Sequence, residues 1–161
     1  MIGGVRIWIC ATHHSAFRRG GWASVRVSQG QVSGAAGGER NTTARRMALA
    51  GLTAGLSDLA AGVEPIRIHT TSPELASLAA VLANLGAPAD DAGPDEHLDL
   101  WGRIIIASKG RRLELVRMAL DPDTPTAFVA AWADLARGKA KASGPFIAPI
   151  PKPNLAKVAG L

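Results

Sequence analysis

The sequence predicts an α/β layer fold with a five-stranded mixed sheet and flanking helices, in the order βββαβααβα. Two patterns predict it: three β-rich segments follow one another near the N-terminus, and two later strands alternate with helical segments. The length of 161 residues suits one domain with a full hydrophobic core. Apolar residues make up 47% and aromatic residues only 4%, so we expect an aliphatic core with four large anchors, Trp8, Trp22, Trp101 and Trp132.

The first three strands are predicted from alternating apolar residues and from turn residues between them. Residues 5–9 form the first strand and residues 22–27 the second, separated by a turn at residues 18–21. A hairpin turn at residues 29–31 leads into a short third strand, residues 32–35. Because the connections are short, the three strands are predicted to be antiparallel neighbours.

The remaining elements are predicted from caps and periodicity. Asn41, Thr42 and Thr43 offer an N-cap to a long helix over residues 44–61, and Ser72 caps another that begins at Pro73. The other predicted elements follow in order: a strand at 65–70, the Ser72-capped helix to about 85, an acidic loop at 87–97, a helix at 98–108, a strand at 111–118, a turn at 121–125 and a last helix at 126–142.

The chain changes character after residue 142. Residues 1–142 are predicted to form the domain, and residues 143–161 a Pro-rich C-terminal tail, because repeated prolines disfavour regular structure. The tail is expected to be disordered or to pack on its own domain. Alternatively, residues 146–151 dock a protein partner as an extended peptide.

Charge is unevenly distributed along the chain. The net charge is +5, and residues 1–57 hold seven arginines against one acid, Glu39, whereas residues 58–100 are acidic. A basic N-terminal part attracts phosphate; the alternative is a set of solvated surface charges. The sequence has no apolar run of about 18 residues and no secretory signal, and its single cysteine excludes an internal disulfide, so we expect a cytoplasmic protein without a membrane segment.

Six short segments carry a resemblance to a known family. They are residues 5–12 (VRIWICAT), 20–23 (GGWA), 43–49 (TARRMAL), 68–72 (IHTTS), 99–101 (DLW) and 133–136 (ADLA). Their order and content resemble ribonuclease H type 1, whose first strand ends in Thr-Asp-Gly-Ser and whose long helix begins Thr-Asn-Asn-Arg-Met-Glu-Leu. The resemblance covers nearly all of the predicted domain but not the tail, and it implies the ribonuclease H fold.

The resemblance also implies that the family's chemistry is lost. Ribonuclease H enzymes hold two divalent cations with four carboxylates, and this chain has Cys10, Ala48, Thr71 and Ala133 at the matching positions. We call these four the central positions. A shift of the alignment by one residue would place Asp134 at the last of them, but one carboxylate does not replace four. The histidine-bearing loop before the last helix is also shortened to residues 121–125, without a histidine. We therefore expect a protein that is not a nuclease and that has no metal and no cofactor.

Two other chemistries are open at the same place. Cys10, His13, His14 and His69 are near one another if the first and fourth strands are neighbours, so they are candidate zinc ligands, although their spacing matches no established pattern. A Cys10–histidine pair is a candidate nucleophile, but no orienting acid is evident.

The candidate binding residues are those that the family uses on nucleic acid and the basic residues near them. The set consists of Arg18, Arg19, Gly20, Gly21, Thr43, Arg45, Arg46, Lys109, Arg111 and Arg112. Basic side chains at a helix N-terminus form a phosphate site; alternatively, these residues only solubilise a turn and a strand entry. Trp101 is predicted to belong to the core rather than to stack on a base.

These observations lead to two hypotheses of function. The first is a catalytically inactive ribonuclease H-like domain that binds structured RNA, an RNA–DNA hybrid or another polyanion without cleaving it. The alternative is a protein–protein interaction or regulatory scaffold, acting through the Pro-rich tail or by self-association into a homo-oligomer. The observation that separates them is whether Arg18, Arg19, Arg45 and Arg46 form one exposed patch.

Overall fold

The computed structural model describes residues 4–59, 62–83, 96–108 and 111–161, and it has the predicted mixed α/β architecture. Six strands form one sheet in the order β5-β4-β1-β2-β3-β6. The strands are β1 Arg6–His14, β2 Arg19–Ser28, β3 Gln31–Glu39, β4 Ile66–Thr70, β5 Leu113–Arg117 and β6 Phe146–Pro149. The helices are α1 Ala44–Leu56, α2 Pro73–Ala76, α3 Ala79–Ala83, α4 Leu98–Ser108, α5 Pro125–Ser143 and α6 Lys152–Leu155.

The first three strands form an antiparallel meander, as predicted, but each is longer than its sequence pattern indicated. The extension of β3 runs through Gly37 and Gly38, which have little strand propensity. Their lack of a side chain is what the packing needs, because a β-carbon at Gly37 would lie 2.5 Å from the indole of Trp22. Gln29 and Gly30 have positive φ and make the tight turn into β3.

The long helix α1 covers one face of the sheet. Its N-cap is Thr43, whose hydroxyl accepts a hydrogen bond from the Arg46 amide at 3.1 Å. α1 ends at Leu56 rather than at residue 61, and Ser57 is its C-cap. α4 packs against α1 on this face, and Trp101 is buried there in the core, as predicted.

On the other side of β1 the sheet becomes parallel. β4 pairs with β1, and β5 with β4, both in parallel. The single helix predicted after Ser72 is divided into α2 and α3. The Ser72 hydroxyl caps the start of α2 by accepting a hydrogen bond from the Leu75 amide. Ser77 is the C-cap of α2, which is only one turn long.

The last long helix, α5, covers the opposite face of the sheet. Thr124 caps it, and its small residues Ala133, Ala136 and Ala140 are buried against the strands. Two apolar cores therefore sandwich the sheet, one under α1 and α4 and the other under α5.

The Pro-rich segment forms regular structure, which corrects the prediction of a five-stranded sheet with an irregular tail. β6 pairs antiparallel with β3 and becomes the sixth strand, with Pro149 opposite Ala35. An edge strand tolerates proline because only one of its sides pairs with a neighbour. Ile150 and Leu155 then bury their side chains in the core under α5, so residues 146–155 pack on the domain.

None of the helices in the described part of the chain combines the length and the apolar character needed to cross a membrane.

Candidate functional site

The central positions lie around the point where β1 and β4 separate. The two strands are paired as far as Ile9 and Thr70, and Cys10 and Thr71 are the next residues on each. Cys10 is only 3% exposed. Its Sγ lies 3.2 Å from Oγ1 of Thr71 and donates across 3.7 Å to the carbonyl oxygen of Thr126, at the start of α5. The thiol is thus hydrogen-bonded inside the protein.

The environment of Cys10 keeps its thiol protonated. Burial raises the pKa of the thiol, and this effect exceeds the opposing effect of the hydrogen bonds with Thr71. The thiolate is the form that attacks electrophiles and binds metals. The partners of Cys10 are threonine groups rather than a histidine, so the geometry does not support the Cys10–histidine nucleophile considered from the sequence.

Ala48 and Ala133 lie on helices that cover opposite faces of the sheet. Ala48, on α1, is fully buried in one core, and Ala133, on α5, is 1% exposed in the other. Beneath α5, a β-carbon at Gly21 would overlap the Ala133 carbonyl oxygen and the Arg137 amide nitrogen. α5 therefore rests directly on β2, and a carboxylate at position 133 would be enclosed by close-packed atoms.

The structure resolves which residue of α5 faces the sheet. Asp134 has a side chain that is 63% exposed and lies 3.7 Å from the Arg137 guanidinium. Ala133, one residue earlier, is the buried one. Ala133 therefore faces the sheet, whereas Asp134 faces outward and acts electrostatically on Cys10, so which of the two matches the family's fourth carboxylate stays a prediction.

The central positions do not fit the pair of divalent cations that ribonuclease H enzymes use. Magnesium requires several oxygen ligands of high charge density, and these four residues offer one hydroxyl, one protonated thiol and two methyl groups. Across the described ranges, no group of three or more His, Cys, Asp or Glu residues is placed to hold a metal ion. No metal-dependent step follows from these residues.

The three histidines considered as zinc ligands have separate partners. His13 donates through Nε2 to the Thr42 carbonyl oxygen at 2.9 Å, and His14 tilts against the ring of Phe17. His69 stacks on Trp8 with ring centroids 4.9 Å apart, and its pKa is lowered mainly by burial. The zinc arrangement considered from the sequence is therefore not assembled.

The candidate binding glycines are packing residues. Gly20 and Gly21 are both buried at the start of β2. A β-carbon at Gly20 would lie 2.5 Å from Met47 and 2.9 Å from the Thr12 carbonyl oxygen, and Gly21 lies under α5 as described above. Close approach of α1 and α5 accounts for glycine at these positions, whereas contact with a ligand stays a prediction.

Arg46 is hydrogen-bonded to two carboxylates, and its predicted contact with a ligand stays a prediction. Its guanidinium donates to Glu39 at 2.8 Å and to both carboxylate oxygens of Asp99, at 3.2 and 3.0 Å. Hydrogen bonding to Asp99 is the largest cause of a raised Arg46 pKa. Two carboxylates thus neutralise this cation and join α1 to α4 and the end of β3, while Thr43 is the exposed N-cap beside it.

Three of the other predicted cations lie on the turn between β1 and β2 and at the start of α1, which is at the same end of the sheet. Arg18 is exposed, with a positive φ, and its carbonyl oxygen accepts from the Thr42 amide at 2.9 Å. This bond holds the turn between β1 and β2 against the start of α1, where Arg45 is exposed. Arg19 is half-buried, and its guanidinium carbon lies 4.9 Å from the centroid of the Phe17 ring.

The second predicted basic patch is not at this end of the sheet. Lys109 lies outside the described residues. Arg111 is buried and donates to the Glu64 carbonyl oxygen at 2.8 Å, so its predicted role on the surface is wrong; Arg112 is exposed. Both precede β5, and β5 runs parallel to β4 and β1, so they lie at the end of the sheet opposite to Cys10.

Sequence reasoning missed two residues that belong to the β1–β2 hairpin or contact it. Phe17 is an exposed aromatic residue in the turn that carries Arg18; an aromatic residue next to two arginines was the available signal. Arg137 donates to the Thr12 hydroxyl at 2.8 Å. Its spacing of four residues from Ala133 on one helix placed both near the same strand.

Comparison with known proteins identifies the fold. No protein-family model matches the sequence, and no curated protein matches it. Among solved structures, the N-terminal RNase H domain of rv2228c from Mycobacterium tuberculosis, a fusion with maltose-binding protein, is 15% identical with a TM-score of 0.63, over 89% of this chain and 99% of that one. LC9-RNase H1, a type 1 RNase H with the type 2 active-site motif, is 16% identical with a TM-score of 0.60, over 100% of this chain and 88% of that one. The resemblance predicted from the six motifs is confirmed at the level of architecture: this chain has the ribonuclease H fold.

Proposed function

We propose that this protein is a non-cleaving ribonuclease H-like domain that binds the phosphate backbone of nucleic acid. The binding surface is the basic edge, which we define as Arg18, Arg19 and Arg45. The observation that carries the proposal is the backbone hydrogen bond between Arg18 and Thr42, because it holds the turn that bears Arg18 and Arg19 against the start of α1, which bears Arg45. Guanidinium groups are well suited to phosphate because they offer several donors in a fixed fork.

The absence of cleavage in this proposal is supported by the chemistry of the central positions. Cleavage by the family's mechanism needs metal-bound water and a metal-stabilised leaving group. A protonated thiol at Cys10, the hydroxyl of Thr71 and two buried methyl groups supply no such ligands. We expect no Mg²⁺- or Mn²⁺-dependent cleavage of an RNA–DNA hybrid, as measured by gel analysis of an end-labelled substrate.

The basic edge sets the expected strength and salt dependence of binding. The chain carries a net charge of +5, and three of its arginines belong to the edge. Each phosphate contact releases counterions, so three contacts give a slope of log K against log salt of about −2 to −3. Binding is therefore expected to be detectable at low ionic strength and to weaken steeply as salt rises.

The test compares two triple variants that remove the same charge. Arg18→Gln, Arg19→Gln and Arg45→Gln together neutralise the basic edge. Arg67→Gln, Lys152→Gln and Lys157→Gln neutralise exposed cations outside the predicted binding set and serve as the matched control.

Fluorescence anisotropy with a labelled RNA–DNA hybrid and a labelled single strand, each of about 12 nucleotides, measures both variants at low salt. The proposal expects the basic-edge variant to lose at least about tenfold in affinity and about two units of salt slope, with little change in the control. Equal losses in the two variants, or no binding by the wild type, would overturn it.

The scaffold hypothesis retains one specific observation in its favour. On α4, Leu98, Ile105 and Ile106 are exposed, the last at 74%. Exposed branched aliphatic residues on one helix are a feature of protein contacts. Sedimentation of the wild type and of Ile106→Asp at high salt tests self-association through this helix: a dimer that dissociates in the variant would favour the scaffold.

A further inference from the structure

The turn that joins β1 to β2 carries an exposed aromatic side chain. We define the hairpin tip as residues 14–19. Phe17 is 64% exposed at this tip, and its amide donates to the His14 carbonyl oxygen at 3.2 Å. The Phe17 ring contributes to neither of the two cores, so the fold does not account for a large apolar side chain here.

Three planar groups are gathered at the hairpin tip. The His14 ring is 4.8 Å from the Phe17 ring between centroids, at an angle of 38°. The Arg19 guanidinium carbon is 4.9 Å from the Phe17 centroid. Phenylalanine, histidine and arginine are all side chains on which nucleobases stack in complexes with RNA and single strands.

The hairpin tip is held in place rather than loosely attached. The Arg18 carbonyl oxygen accepts from the Thr42 amide at 2.9 Å, and His13 donates to the Thr42 carbonyl oxygen at the same distance. Thr42 is buried and immediately precedes the N-cap of α1. Two hydrogen bonds to one residue fix the tip next to Arg45, so an aromatic surface and phosphate-binding cations share one rigid edge.

We propose that the hairpin tip is a base-stacking platform for single-stranded nucleic acid. An unpaired base stacks on Phe17, alongside His14 and Arg19, while the neighbouring phosphates contact Arg18 and Arg45. This inference rests on the proposed function and names its ligand class. A duplex does not satisfy the platform, because the faces of paired bases are covered by their neighbours, whereas a single strand offers open faces.

The charges around Phe17 favour nucleic acid over an apolar partner. Arg18 and Arg19 follow it directly in sequence, and His14 contacts its ring. An apolar protein or lipid-tail contact would require these cations to be removed from water, at a cost that one phenylalanine does not offset. A nucleic-acid strand instead supplies a phosphate for each cation and a π face for the ring.

The experiment uses the full chain and substitutions at Phe17 that separate stacking from apolar contact. Phe17→Leu keeps an apolar side chain without a π face, Phe17→Trp keeps a π face, and Phe17→Ala removes both. Leu120→Ala, at another exposed apolar residue, is the matched control. The probes are a fluorescein-labelled oligothymidylate of about 12 nucleotides and a blunt duplex of the same length.

The platform predicts a specific order of affinities for the single strand. Phe17→Leu and Phe17→Ala lose roughly tenfold, Phe17→Trp binds at least as tightly as the wild type, and Leu120→Ala is unchanged. Duplex binding, which depends on charge, changes by less than about twofold in all four. Wild-type affinity in Phe17→Leu would overturn the platform, and so would equal losses on the single strand and the duplex.

The triple variant of the basic edge separates the stacking platform from the phosphate binding on which the platform rests. If neutralising the basic edge abolishes binding while the Phe17 variants bind like the wild type, phosphate binding stands and the platform fails. If the wild type binds neither probe at low salt, both fail. If anionic vesicles without nucleic acid bind the wild type as tightly as the oligothymidylate does and Phe17→Leu retains that binding, the platform also fails.

Discussion

Cys10, one of the central positions, and the hairpin tip belong to the same strand pair, β1 and β2, yet the two regions differ in exposure and in charge. Cys10 is buried, uncharged and hydrogen-bonded inside the protein, whereas Phe17, seven residues later, is exposed among cations. One region has the packing of a core and the other has the composition of a surface that meets a polyanion. The contrast teaches that a fold can be kept by its packing residues while the surface that contacts a ligand lies elsewhere.

Close packing is the reason the two regions separate so sharply. Gly20 and Gly21, just after the hairpin tip, allow α1 and α5 to approach the sheet, and this brings Ala48 and Ala133 into the cores. Phe17 lies in the turn that precedes the glycines and belongs to neither core. The same two glycines that mark the family resemblance therefore divide the packed centre from the exposed tip.

The largest expected effect comes from placing a carboxylate at a central position. Ala133→Asp buries a charge without a partner, and we expect a loss of about 3 kcal/mol or more in the free energy of unfolding, measured by urea denaturation. Ala131→Asp, at an exposed position of the same helix, is the matched control and is expected to change stability by less than about 0.5 kcal/mol. Similar stability in the two variants would show that the centre is open to water.

A smaller effect is expected at the glycine beneath α5. Gly21→Ala places a methyl group against backbone atoms of Ala133 and Arg137, which cannot rotate away, so we expect a loss of about 2 kcal/mol. Gly138→Ala, on α5 itself, is the control, because nothing lies within 4 Å of its added methyl group. We expect this variant to gain about 0.5–1 kcal/mol in the free energy of unfolding. Thermal denaturation of both variants measures the difference, and a gain at position 21 would contradict the close approach of α5.

Most elements of the fold could be predicted from short-range patterns in the sequence. Alternation and the Thr43 and Ser72 caps predicted the meander and the starts of the helices, because each depends on residues close together in the sequence. The sixth strand was missed because Pro149 argues against a strand locally, while the partner that accepts it, Ala35, is more than one hundred residues away. Edge pairing of this kind depends on tertiary contacts.

The candidate site was less predictable for the same reason. Arg46 resembled a binding residue, but Asp99 and Glu39 neutralise it, and Asp99 lies 53 residues away. Whether Ala133 or Asp134 faces the sheet depended on one residue of helix register, which six short motifs do not fix. Only the exposure of Phe17 beside Arg18 had a local signal, namely an aromatic residue in a basic turn.

The pH dependence of stability tests whether the Cys10 thiol is buried and protonated, as the contrast with the exposed hairpin tip requires. The ordinary pKa of a cysteine is near 9.0, and burial raises the pKa of Cys10 in the folded protein. As pH rises, the Cys10 thiol therefore ionises at a lower pH in the unfolded chain than in the folded one. Its contribution to stability is full below about pH 9 and is lost as pH rises through the pKa of the folded state. We expect the free energy of unfolding to fall more steeply above pH 9 in the wild type than in Cys10→Ser, where no thiol titrates. Parallel curves would contradict a buried, protonated thiol.

The smallest expected effect lies at the ion pair that joins α1 to α4. Asp99→Asn removes one of the carboxylates that neutralise Arg46, and because the pair is partly exposed we expect a stability loss of less than about 1 kcal/mol. Arg46 lowers the pKa of Asp99, so the pair contributes above the ordinary pKa of an aspartate and is lost as pH falls through the depressed value. The variant is therefore expected to differ from the wild type at neutral pH and to converge with it in acid.

The same substitution tests whether charge at the start of α1 reaches a ligand on the basic edge. Removing Asp99 leaves Arg46 with Glu39 alone, so the positive potential beside Arg45 rises. We expect the affinity for the oligothymidylate to increase about twofold at low salt, with no change at high salt because the effect is electrostatic. Asp123→Asn, at an exposed aspartate in the turn before α5, removes the same charge as a control. An equal increase in the control would mean that the ligand senses only net charge, and the distinction between the packed centre and a localised basic edge would then have no bearing on binding.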